Sequence, residues 1–127
     1  MNRIGIIGAM DEEVDILVEL MDIKETIEKA SLKFYKGTLE GKDIVLVRCG
    51  IGKVNSALCA QILISEFDVD AIVNTGVAGA LHSELDVLDM VISTDAIQYD
   101  VDTTAFGDPK GTIPRMESSV FVQMKNL

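Results

Sequence analysis

Cations are scarce in this sequence: eleven Lys and Arg stand against 21 Asp and Glu, giving a formal net charge of -10. A nucleic acid or an anionic membrane surface calls for a basic patch, so neither is expected as a partner. Cysteine is nearly absent too. Cys49 ends an apolar run and Cys59 lies in a helical stretch, a spacing that suits neither a metal site nor a disulfide framework. Reduced thiols and a cytoplasmic location are the expectation. The lone histidine, His82, sits in a polar loop, and Asp100 and Asp102 share one strand face without further ligands nearby; no metal is expected. The chain opens without a basic region leading into an apolar signal core, and no apolar run approaches the ~20 residues that span a bilayer. Repeats, low-complexity stretches and linkers are missing. With 127 residues and 48% hydrophobic content, residues 1–127 read as one ordinary domain.

What is present is a rapid alternation of periodicities. Ile4 to Gly8 is a short apolar strand suited to burial on both faces. Met10, Val14, Leu17, Val18 and Met21 then recur at helical spacing among acidic residues. Lys33 to Leu39 alternates, Glu40-Gly41-Lys42 turns, and Ile44 to Val47 resumes strand character, which predicts a hairpin. Gly50-Ile51-Gly52-Lys53 leads into a helix ending at Phe67, and Ala71 to Asn74 is another buried strand, closed by Thr75-Gly76-Val77-Ala78-Gly79. Val87 to Asp100 reads as one or two long strands interrupted near Ser93-Thr94-Asp95.

This order implies an α/β fold with a mainly parallel or mixed central sheet flanked by helices. In such sheets a ligand sits outside the carboxyl ends of the strands, where Gly8-Ala9, Gly50-Ile51 and Thr75-Gly76 fall. A strand-to-helix turn is ordinarily an anion site, but here Asp11, Glu12 and Glu13 fill the first helical turn and repel phosphate. The expected ligand is a neutral, nucleoside-like molecule, with one carboxylate free to act as a base.

Four segments taken in order, Ile6-Ile7-Gly8-Ala9-Met10-Asp11-Glu12-Glu13, Gly50-Ile51-Gly52-Lys53-Val54-Asn55, Asn74-Thr75-Gly76-Val77-Ala78-Gly79 and Asp100-Val101-Asp102 with Thr104-Ala105-Phe106-Gly107, resemble the bacterial 5'-methylthioadenosine/S-adenosylhomocysteine nucleosidases. The resemblance covers essentially the whole chain and about the amino-terminal half of that family's length. It implies a nucleoside phosphorylase-like fold, an adenine nucleoside thioether as substrate, no cofactor, and a homodimer. The reaction implied is hydrolysis of the N-glycosidic bond to adenine and a thioribose, with Glu13 activating water. Carried over in the same way, Gly79 lies by its backbone against the nucleoside, in the Val77-Ala78-Gly79 segment, and Ala9 and Ile51 form apolar walls of the ribose and alkylthio pocket. Val77 replaces the serine of many relatives, removing a hydroxyl. Phe106 and Pro114 match residues that cover the neighbouring subunit's alkylthio group.

Two other enzymes share much of this pattern. A phosphorylase of the same superfamily tends to carry an arginine, able to grip phosphate bidentately, where this chain has Asn74; futalosine hydrolysis would use the same water-activating motif. A third reading is a truncated, non-catalytic nucleoside-fold protein. The general acid at adenine N7, the ribose-binding Met-Glu pair and the stacking aromatic belong to the family's second half, and Phe121 to Leu127 carries no capping or tail signal, as at a premature end. Residues 1–127 alone are therefore expected to turn over poorly or not at all, and to self-associate through Ile44 to Val47 or the Phe106 region.

Overall fold

The computed structural model describes residues 3–122. Its contacts cluster into two compact units, Met1–Gly79 and Ala80–Leu127.

The first unit is a five-stranded mixed sheet in the order β2-β3-β4-β1-β5, with β1 at Arg3–Gly8, β2 at Asp22–Lys29, β3 at Leu32–Leu39, β4 at Lys42–Arg48 and β5 at Ala71–Asn74. The strand β1 runs parallel to both β4 and β5, whereas β2, β3 and β4 form an antiparallel meander. Helix α1 (Asp11–Leu20) follows β1, and α2 (Lys53–Phe67) links β4 to β5. Alternation along the central strands divides the core in two. Ile7, Val45 and Val47 pack with Phe34, Cys59, Leu63 and Phe67 beneath α2. Ile6, Ile44 and Leu46 pack with Val14 and Met21 beneath α1. Both faces of β1 and β4 are thus covered, as their unbroken apolar runs require.

Two expectations need correction. The segment from Asp22 to Lys29, assigned to no element from its pattern, is a full edge strand. Its apolar content is Ile23 and Ile27 alone, and its turn to β3 is Ala30-Ser31, both with left-handed φ (50° and 61°) and without the Asn or Gly that signals such a turn. Ile44 to Val47 offers no free edge either: it is paired with β3 on one side and β1 on the other, and its side chains are buried. The edges are β2 and β5.

In the second unit, β6 (Asp95–Ile97) pairs antiparallel with β7 (Val120–Val122). A single 3-10 turn spans Thr104–Phe106, preceded by Asp102, whose Oδ1 accepts both the amide (3.1 Å) and the hydroxyl (2.7 Å) of Thr104. The long strand expected from Val87 to Asp100 shrinks to those three residues, beginning where an interruption was anticipated. Val87, Leu88, Met90 and Ile92 are exposed, because an apolar run becomes a strand only where another strand accepts its backbone hydrogen bonds, and the described residues supply none there. No helix among the described residues is long and apolar enough to cross a membrane.

Candidate active site

The three glycine-bearing strand ends meet. In the order β4-β1-β5, Gly8 faces Arg48 and Ile7 faces Asn74, and the ladder continues past the strands: the Cys49 amide donates to the Gly8 carbonyl and the Thr75 amide to the Ile7 carbonyl, each at 2.9 Å. Parallel pairing therefore brings the turns at 8–10, 49–52 and 75–77 to one rim.

Glu13 stands at that rim, in the first turn of α1. Its Oε2 accepts the backbone amides of Ala9 (2.6 Å) and Met10 (3.2 Å), a reach-back to the residues before the helix. Its Oε1 accepts the amide of Val77 (3.3 Å), 64 residues away. A helix cap explains the first two bonds but not the third, which ties the carboxylate to the loop after β5. These amides, that of Ala9 foremost, hold the carboxyl below its ordinary value of 4.5 against the upward push of partial burial. Glu13 is an anion throughout the neutral range. Its companions differ: Asp11 pairs with Arg48 at 2.7 Å, and Glu12 is exposed.

The remaining candidates fall into three groups. Ala9 is half-buried and packs against the core beneath α2. Ile51 and Val77 are exposed at the rim, at 74% and 82%, and Ala78 and Gly79, which follow Val77, are exposed as well. Phe106 and Pro114 lie exposed in the second unit.

Behind the rim lies a thiol pair that spacing did not associate. Cys49 and Cys59 share the core under α2, and the Cys49 thiol donates to the Gly50 carbonyl at 3.0 Å. Burial pushes the Cys59 thiol up to about 11 and raises Cys49 as well, with the nearby charge of Glu13 adding to the latter. Two surface hollows, about 230 Å³ beside Val14, Val18 and Tyr35 and about 580 Å³ beside Lys24, Lys36 and Asp43, are lined by residues other than Glu13.

A mixed sheet with an ionised carboxylate clipped where three parallel strand ends converge defines an α/β protein of the class in which ligands generally bind outside the carboxyl ends of the strands. Residues 3–126 match the phosphorylase superfamily, and the chain belongs to that family. It is 50% identical over 113 residues to a 5'-methylthioadenosine/S-adenosylhomocysteine nucleosidase of Staphylococcus haemolyticus, an alignment covering 89% of this chain and 50% of that protein. The crystal structure of the nucleosidase of that name from Neisseria meningitidis, in complex with methylthio-immucillin-A, superimposes with a TM-score of 0.91 at 38% identity, covering 98% of this chain and 54% of that one. The futalosine hydrolase of Helicobacter pylori gives a TM-score of 0.89 at 34% identity, covering 98% and 53%. The chain spans about half the length of the curated relatives it matches.

Proposed function

We propose that the protein carrying this sequence hydrolyses the N-glycosidic bond of 5'-methylthioadenosine or S-adenosylhomocysteine, with Glu13 activating the water. The carrying observation is the Glu13 carboxylate, held at the junction of three strand ends by the amides of Ala9, Met10 and Val77. In the proposed step the C1'–N9 bond breaks, positive charge builds on the ribose, and water adds at C1' while passing its proton to Glu13. A carboxylate kept ionised is a weak base, but water attacking an oxocarbenium-like centre needs little basic assistance. The fixed negative charge stabilises that centre throughout. Adenine is a poor leaving group as an anion, so an acid is also required at N7, and the family resemblance puts that acid outside this sequence.

Hydrolysis is favoured over phosphorolysis because Asn74 offers no fork for phosphate and Arg48 is already paired with Asp11. The similarity to a futalosine hydrolase supports a second reading, hydrolysis of a related nucleoside by the same group. We further propose a cytoplasmic homodimer in which Phe106 and Pro114 approach the neighbouring site. An exposed face of α2 supports the dimer: Val54, Ala57, Leu58, Gln61 and Ile64 are exposed and uncharged.

In the complete enzyme, Glu13→Gln is expected to keep nucleoside affinity and to lose roughly a hundredfold or more of turnover, read as adenine release. Undiminished release would refute the role of Glu13. Accumulation of a sugar 1-phosphate when phosphate is supplied would replace hydrolysis with phosphorolysis.

A further inference from the structure

The glycines at the rim are there for different reasons. Gly50 and Gly52 have left-handed φ of 82° and 105°, where any side chain is strained. Gly76 has no such φ, so its backbone is open to every residue type. Its constraint is spatial. A Cβ added there would lie 3.0 Å from Oε1 of Glu13, 3.4 Å from its Cδ and 3.6 Å from its Oε2. All three atoms of the carboxylate thus lie over the bare Cα of Gly76.

The carboxylate has little room to retreat. On its far side Oε2 already sits 2.6 Å from the Ala9 amide and 3.2 Å from the Met10 amide. The loop is equally fixed, since the Thr75 amide is bonded to the Ile7 carbonyl at 2.9 Å. We propose that Gly76 is a positioning residue for Glu13: its missing side chain lets the carboxylate lie flat against the loop after β5 and take the Val77 amide. The proposal rests on the reading of Glu13 as the water-activating group. A methyl at position 76 would displace the carboxylate, lengthen its bond to Val77 and alter the direction in which its oxygens face the ligand.

A double-mutant cycle on the 127-residue chain tests this without substrate. Gly76→Ala is expected to lower the folded-to-unfolded ratio of the parent by roughly tenfold, and that of Glu13→Ala by less than about twofold, because truncating Glu13 removes the atoms the new methyl meets. If Gly76→Ala alone does not fold, the double variant should fold. In ¹³C-carboxyl titrations, Glu13 of the Gly76→Ala protein should ionise at higher pH than in the parent, having lost part of its amide support. A merely structural glycine would leave that titration unmoved. Equal penalties in both backgrounds, no penalty in either, a double variant that fails to fold, or an unchanged Glu13 titration would each overturn the proposal. Because the cycle reads stability and ionisation only, its failure is distinguishable from a failure of the Glu13→Gln activity test.

Discussion

The buried thiol pair sets a reactivity that a simple colour assay can read. A thiol at its ordinary value of 9.0 is about one-tenth ionised at pH 8, whereas Cys59, pushed up to about 11, is ionised to roughly one part in a thousand. Only the thiolate attacks a disulfide reagent, so ionisation alone slows Cys59 by about a hundredfold. Burial adds to this, since Cys59 is 0% exposed and Cys49 only 4%. Treated at pH 8 with dithiobis(nitrobenzoate), the native protein should release thionitrobenzoate at least about a hundredfold more slowly than the chain unfolded in urea, in which both thiols react freely. Glu13→Gln should quicken Cys49 modestly, because the Glu13 charge is one of the causes that raise it. The same displacement links to stability. A thiol whose folded value lies above its unfolded one contributes fully below about pH 9, and the contribution, on the order of 3 kcal/mol, is lost as pH rises through about 11. Cys59→Ala should make that alkaline loss shallower. Native thiols reacting within a few-fold of the unfolded rate would refute the reasoning, for they could not then sit under α2 as described.

Further outcomes follow from burial. Phe34, fully buried and stacked on Phe67 with ring centroids 5.0 Å apart, should cost roughly 3–5 kcal/mol of stability when truncated to Ala, measured by urea unfolding, whereas Ile16→Ala, at a position 66% exposed, should stay within about 0.5 kcal/mol. Val54→Glu places a charge on the exposed face of α2, at a residue 83% exposed. It should leave the monomer's unfolding midpoint unchanged and shift sedimentation of the complete enzyme toward monomer; an unshifted dimer would move the interface elsewhere.

Much of the first unit was legible because its elements carry strong local signals. Ile4 to Gly8 and Ile44 to Val47 are unbroken apolar runs, and their interior positions follow from that alone. The helix beginning at Asp11 shows its period through Val14, Leu17, Val18 and Met21. What escaped reading depends on partners distant in sequence. The edge strand from Asp22 to Lys29 is held by pairing with β3, not by its own mostly charged residues, and the Val87 to Ile92 run is apolar enough for a strand but has none to join among the described residues. At the site, position and charge placed Glu13 correctly at the helix start. Its bond to Val77, and the reason Gly76 has no side chain, arise where β1 and β5 lie side by side, which no local pattern records. The cysteine pairing was hidden likewise, because β4 and α2 bring together residues whose spacing suits no recognised motif.

The strand order also sets a sequence of events in time. The pairings of β2 with β3 and of β3 with β4 close two-residue turns, so the meander forms from local contacts. By contrast, β1 meets β4 across 40 residues and β5 across 67, and such long closures carry a larger entropic cost before any contact rewards them. The meander is therefore expected to assemble early, and the rim where β4, β1 and β5 end side by side to be completed late. A ligand held at that rim stabilises a region unformed in the folding transition state. It slows unfolding, and with it the irreversible losses that follow from unfolding, while leaving the rate of folding nearly unchanged.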